Sequence, residues 1–215
     1  MARVPDRRRY AGVPIPDAHD PLRFHYWPVV GRLYRKRIDG CMALLGTGRR
    51  VLDLGYGSGT SFLELAPRFA EIHGIDTHDY GPAIARVFAQ EGVAVSLRRG
   101  NLLATPYPDG HFDAVLAMSV LEHLRPEEQP RALDEIRRVL RPGGALVAGV
   151  PGVNALMTLG FRLLRVDIGH HHFSSPRVVL DAARERLVVE RVVRQPSLAP
   201  DWLVTYVWFR ARTRE

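Results

Sequence analysis

The chain has little of several things, and each shortage excludes something. Its single cysteine, Cys41, cannot form an internal disulfide, and no cysteine or histidine spacing reads as a metal knuckle. The expectation is a reducing compartment. Lysine is almost absent, with Lys36 the only one, so the basic residues are nearly all arginine. The N-terminal MARVPDRRRYAGVPIPD carries charge with no apolar core behind it, unlike a secretory signal. Residues 142–161 run twenty positions without a charge, long enough to span a bilayer. Pro142, Pro151, Asn154 and five glycines interrupt that run, so it reads as a buried strand followed by a loop. A soluble, cytoplasmic protein is expected.

What is present is ordinary globular composition. The 215 residues are 46% hydrophobic and 25% charged, which excludes disordered, collagen-like and coiled-coil proteins. A chain of this length buries roughly 70% of its unfolded surface, so it needs no staple to fold. The net charge is +7, and all of it sits in front of residue 51, where eleven Lys/Arg face four Asp/Glu. The remainder balances at nineteen of each. Such a front end attracts an acidic substrate, an anionic membrane or nucleic acid.

Residues 1–21 show no apolar period and are expected to be mobile or draped over the surface. Over 27–45, Val30, Leu33, Tyr34, Ile38, Met42 and Leu45 recur at three- and four-residue steps and predict a helix. Strands are then expected at 50–54, 71–76, 93–98, 112–118 and 145–150, with helices at 60–70, 82–91, 127–140 and 176–186. Two final strands, 188–194 and 203–210, have no helix between them. Alternating strands and helices imply an α/β doubly wound sheet. Seven strands are predicted, mostly parallel with a terminal antiparallel strand, and helices on both faces. The chain divides into a basic segment, 1–47, and a main domain, 48–215.

The most informative stretch is Val51-Leu52-Asp53-Leu54-Gly55-Tyr56-Gly57-Ser58-Gly59, an apolar strand running into alternating glycines. Glycines there let backbone approach a ligand at the carboxyl edge of the sheet. A dinucleotide fingerprint would need glycine where Thr60 stands, and no phosphate loop of the G-x-x-x-x-G-K-[ST] type exists. Asp76 ends the second strand 21 residues after Gly55, where an acid can accept hydrogen bonds from a ribose diol. Together these predict a site for a nucleoside-like cofactor.

At this point the chain resembles the class I S-adenosylmethionine-dependent methyltransferases of Rossmann-like fold, type 11 in particular. VLDLGYGSG is similar to the family's first motif, and Gly74-Ile75-Asp76 to the end of its second strand. Arg99-Gly100-Asn101 with Pro106–Asp113, then Leu121-Glu122-His123-Leu124, then Arg138–Gly144 follow in the family's order. The resemblance covers 48–150 closely and the flanks loosely. It implies S-adenosylmethionine as cofactor, with Asp53 near the methionine amino group and Gly55, Tyr56, Gly57 and Gly59 lining its backbone. It places Asp76 on the ribose with Thr77 and His78 beside it, Asn101 and Leu102 at the adenine, and Met118 and Ser119 on the floor. Two positions depart from the pattern. Tyr56 is bulky where the family is small and is expected to alter access near the methionine end. Asn101 replaces an aspartate, although its carbonyl can accept the same hydrogen bond.

The fold demands no catalytic residue, since the donor is already reactive and alignment does most of the work. A general base is needed only for a protonated, weakly acidic acceptor. His123 is one candidate, with the alternative that it only fixes the start of its loop. His171, within His170-His171-His172, is the second, against a loop-packing role. Consecutive histidines cannot converge on one ion, so no metal site is expected. Residues 153–166 read as a lid or a core helix, with a peripheral membrane contact as the other option. The 1–47 segment is expected to cap the active site. The expected acceptor is a small molecule, methylated on a hydroxyl of a lipid-like, quinone-like or secondary metabolite. Nucleic-acid methylation is the alternative, weakened because Met118-Ser119-Val120 stands where an N/D-P-P-Y loop would be. A non-catalytic cofactor-binding subunit is a further alternative. Monomer and homodimer both stay open.

Overall fold

The computed structural model describes residues 1–15, 22–152, 173–198, 200 and 203–214. Seven strands form one sheet: β1 Gly48–Leu54, β2 Phe69–Asp76, β3 Ser96–Arg99, β4 Phe112–Met118, β5 Leu140–Pro151, β6 Val188–Gln195 and β7 Tyr206–Arg212. Their spatial order is β3-β2-β1-β4-β5-β7-β6. The first five are parallel, and β7 lies antiparallel between β5 and β6. The sheet is therefore the doubly wound, mostly parallel one expected.

Alternation along the strands feeds two cores. Val51, Leu116, Val147 and Trp208 point to one face, where they meet α1 (Val30–Leu44), α2 (Phe62–Leu65) and α3 (Gly81–Ala89). Leu52, Val115, Leu146 and Phe209 point to the other, against α4 (Gln129–Val139) and α5 (Pro176–Arg186). The apolar 203–210 stretch is buried as expected, with Phe209 fully enclosed.

Several boundaries differ from expectation for identifiable reasons. The helix expected over 60–70 closes after one turn, because Pro67 blocks its continuation and β2 already begins at Phe69. β3 starts at Ser96 rather than 93, since Val93 and Val95 pack against the core from a loop. α1 buries Tyr34, Ile38, Cys41 and Met42, whereas Leu33, one residue off that stripe, is half exposed. β5 begins at Leu140 and passes through Pro142-Gly143-Gly144 with a register shift against β4. Gly143 takes φ +70° there, a left-handed conformation that glycine tolerates.

The N-terminal residues are draped and anchored. Tyr10 Oη donates to Ser58 O at 3.0 Å, Tyr26 Oη donates to Pro5 O at 2.8 Å, and Arg3 pairs with Glu64 at 3.1 Å. The first of these ties the leading segment to the glycine loop itself. The histidines at 170–172, including His171, and residues 153–166 lie outside the described residues.

Candidate active site

The site lies where β1, β2, β3 and β4 end together at the carboxyl edge of the sheet. After β1 the chain turns through Gly55, Gly57 and Gly59, with φ of +65°, +50° and +75°. Side-chain-bearing residues avoid this region, so the alternate glycines are what the turn requires. A Cβ on Gly55 would stand 2.5 Å from Val120 Cγ2, so the loop is pressed onto the segment that follows β4.

Asp76, at the end of β2, holds this loop in place. Its Oδ2 accepts from Gly57 N at 2.8 Å and its Oδ1 from Thr77 N at 2.7 Å. A carboxylate offers about four lone-pair positions, so capacity for further donors remains. His78 braces the same corner. Its ring stacks on Tyr80 at 3.5 Å, and Nε2 sits 3.2 Å from Gly57 O and 3.6 Å from Asp76 Oδ2. Burial lowers the His78 pKa, and the Asp76 charge opposes that.

Tyr56 does not stand across the site. Its ring is buried beside Phe62 and His78; a Cβ on Gly74 would fall 2.7 Å from the ring, and one on Gly81 would fall 2.7 Å from its hydroxyl. These two glycines make the seat for a side chain that is larger than the family pattern. Asn101 Oδ1 accepts from Leu103 N at 2.9 Å and so shapes the 101–104 turn, leaving its second lone pair.

These loops bound a cavity of about 600 Å³. Of the residues expected at a site, it brings together Gly55, Tyr56, Gly57, Asp76, Thr77, Asn101, Leu102, Met118, Ser119 and His123. Asp53, Gly59 and His78 stand behind its wall. Asp53 is buried and accepts from the Ser61 hydroxyl. Burial pushes its carboxyl up to about 7, the Ser61 bond pulls down, and the Asp76 charge pushes up again.

The opposite side of the cavity contains residues that the sequence reading did not single out. His25, Tyr34 and Arg37 reach it from the 3-10 turn Leu22–Tyr26 and from α1. Burial, followed by the charges of Arg37 and Arg35, pulls the His25 pKa down to about 4. Ser119 takes φ +56°, uncommon for a residue with a side chain, and this strain sits at the end of β4. Its Oγ lies 2.8 Å from Tyr206 Oη, and its N donates to Gly149 O at 2.7 Å. Glu122, in the turn Leu121–His123, is fully buried, and among the described residues neither of its carboxyl oxygens has a hydrogen-bond partner. Burial pushes its pKa up to about 8. Basic-face residues of a helix look solvated in sequence, and a buried Glu beside a His in a loop gives no periodic signal.

Among the described residues, no group of three or more His, Cys, Asp or Glu could hold a metal ion. No helix among them is long and apolar enough to cross a membrane. Comparison with known proteins agrees with this geometry. Residues 52–148 match the family model described as "Methyltransferase domain". The chain is 40% identical over 119 residues to the demethylmenaquinone methyltransferase of Thermus thermophilus, covering 54% of this chain and 52% of that protein. It is 36% identical over 156 residues to the malonyl-[acyl-carrier protein] O-methyltransferase of Halorhodospira halophila, covering 67% and 50%. The chain spans about half the length of the curated relatives it matches. A geranyl diphosphate methyltransferase solved with SAM superposes with a TM-score of 0.65 at 19% identity, over 99% of this chain and 96% of that one. At that identity the likeness speaks for the fold alone. With the motifs in order, the sheet topology and the matched domain all in agreement, residues 52–148 are a methyltransferase domain of the class I S-adenosylmethionine-dependent family.

Proposed function

We propose that this chain transfers a methyl group from S-adenosylmethionine to a hydroxyl oxygen of a small, lipid-like or quinone-like acceptor. The observation that carries this is one cavity joining the glycine loop and Asp76 at one side to Ser119 and His123 at the other. The residues suit a nucleoside-bearing donor. Asp76 has acceptor capacity beyond its two backbone bonds, and Ile75 and Leu102 supply apolar wall beside it.

In this reading Asp76 accepts from the ribose hydroxyls with Thr77 beside it, and His78 keeps the loop in register. Asn101 and Leu102 border the adenine. Gly55, Tyr56, Gly57 and Gly59 shape the wall along the methionine portion, with Asp53 behind them and Met118 and Ser119 as the floor. When bound, S-adenosylmethionine supplies a methyl group on a positively charged sulfur. The protein's part is to hold the acceptor oxygen in line within about 3–3.5 Å and to exclude water. His123 takes the acceptor's proton where that hydroxyl is weakly acidic. His171 remains a second candidate for this role. The 1–47 segment caps the cavity, its contribution coming through His25, Tyr34 and Arg37. The likeness to a demethylmenaquinone methyltransferase and to a malonyl-[acyl-carrier protein] O-methyltransferase supports an acceptor of this class.

The test is incubation with methyl-labelled donor and a fractionated cell extract, with and without nuclease. Label in a small-molecule fraction that nuclease leaves unchanged is the expected result. Label lost on nuclease treatment would replace this reading by nucleic-acid methylation. Cofactor binding with no labelled product in any fraction would replace it by a non-catalytic cofactor-binding subunit.

A further inference from the structure

Arg37 is the cation that reaches the cavity from α1. Its guanidinium carbon lies 4.4 Å from the ring centre of Tyr34 and 5.0 Å from that of Tyr206. Two aromatic faces therefore fix the plane of the group without using any of its five N–H donors. Among the described residues it makes no side-chain hydrogen bond and no ion pair, whereas neighbouring Arg35 donates to His25 O at 3.2 Å.

The backbone beneath Arg37 is held from the sheet. Trp208 Nε1 donates to Arg37 O at 2.9 Å, and Arg210 Nη1 donates to Leu44 O at 2.8 Å. Gly40 lets α1 settle on the Trp208 ring, since a Cβ there would come 2.3 Å from it. Gly149 likewise makes room for Tyr206, whose hydroxyl reaches Ser119. Arg37 is thus positioned relative to the end of β4 through Tyr206.

Among the described residues, neither carboxylate on the cavity wall, Asp76 or Glu128, pairs with Arg37. Asp76 accepts from Gly57 and Thr77, and Glu128 accepts from Arg125 N at 2.9 Å. Glu122 is fully buried and, among the described residues, forms no ion pair with Arg37. His25 on the same side is held neutral by burial. A pre-oriented, unneutralised guanidinium on a cavity wall matches a planar or tetrahedral oxyanion.

We infer that Arg37 is the specificity-determining residue of the acceptor site, and that the acceptor carries a carboxylate or phosphate group bound by its guanidinium. The inference rests on the reading of this cavity as a methyl-transfer site and names the class of its acceptor. It also gives the basic front end a role at the site beyond its general attraction for anions.

The test uses matched probes on protein saturated with S-adenosylhomocysteine: 3-phenylpropionate against 3-phenylpropionamide, and phenyl phosphate against phenol. Ligand-observed NMR titration reads the affinity of each. The expected result is that the anionic member of at least one pair binds about 10- to 100-fold tighter, as hydrogen bonds to a charged group provide. Which pair responds distinguishes carboxylate from phosphate. Arg37→Leu should abolish the preference while leaving S-adenosylhomocysteine affinity unchanged. Arg37→Lys, which keeps the charge and loses the fork, should retain only part of it. Circular dichroism of both variants separates lost binding from lost folding, and if Leu unfolds the chain the Lys variant carries the comparison. Equal binding within both pairs, no binding of any probe, or a preference that survives substitution would overturn the inference. Failure of the wild type to bind S-adenosylhomocysteine would instead overturn the methyl-transfer reading beneath it.

Discussion

Beside Asp76, the cavity wall comes from three loops that each follow a parallel strand: after β1, β2 and β3. Beside Arg37, it comes from α1, with Tyr206 of β7 and Ser119 after β4 behind it. The strand order sets these regions apart, because β2 and β3 lie to one side of the β1–β4 pair and β7 to the other. The first region is built from backbone conformation and one carboxylate, all within a short span of chain. The second joins residues from positions 34 to 206, held by ring faces and single side-chain hydrogen bonds. A wall made from local motifs suits a donor common to a whole family. One made from distant residues can change its acceptor without disturbing the motifs.

The largest expected effect separates the two regions kinetically. His123→Ala should lower turnover by ~10²–10⁴ once an acceptor is known, with cofactor affinity intact. Turnover near the wild-type level across about pH 6–9 would leave catalysis to alignment alone and remove His123 from the chemistry.

Stability against pH gives the next contrast. Glu122 is raised from 4.5 to about 8, and Asp53 from 3.8 to about 7, both chiefly by burial. A folded pKa above the unfolded one means the native state binds more protons, so stability falls as pH rises between the two values. For Glu122 that window runs from 4.5 to about 8, at about 1.4 kcal/mol for each pH unit crossed. Glu122→Gln should flatten the decline, so that the variant melts above the wild type at pH 8 and close to it at pH 5. Parallel melting curves at both values would show that Glu122 is not a buried neutral acid.

The smallest effect concerns the link between the regions. Tyr206→Phe removes the 2.8 Å contact to Ser119 while keeping the ring against Arg37. It should cost about 0.5–1.5 kcal/mol of stability, read by chemical denaturation. It should leave cofactor affinity unchanged. A change in cofactor affinity larger than the loss of stability would mean that the two regions are not separable.

The same division explains what could be read from the residues alone. The sheet, its terminal antiparallel pairing and the Gly55–Asp76 corner follow from periodicity and from glycines in a strand-loop-helix setting. Tyr56 was legible only as an oddity. Its seat depends on Gly74 and Gly81, which no local rule connects to it. Arg37 reads as one more charge on a basic helix face, and its two aromatic partners are separated from each other by most of the chain. Residues 1–15 lack any period, yet Tyr10 is buried against the glycine loop, its hydroxyl donating to Ser58 O. Contacts of this kind depend on tertiary placement, which short-range pattern does not encode.

The central claim is that the Gly55–Asp76 corner is a nucleoside-donor site, and calorimetric titration of S-adenosylhomocysteine tests it most directly. The wild type should bind with micromolar-range affinity, as cofactor sites commonly do. Asp76→Ala should weaken that binding by about 2–4 kcal/mol through loss of charge-assisted hydrogen bonds. Equal affinity in the two proteins, or no binding by the wild type, would contradict the account.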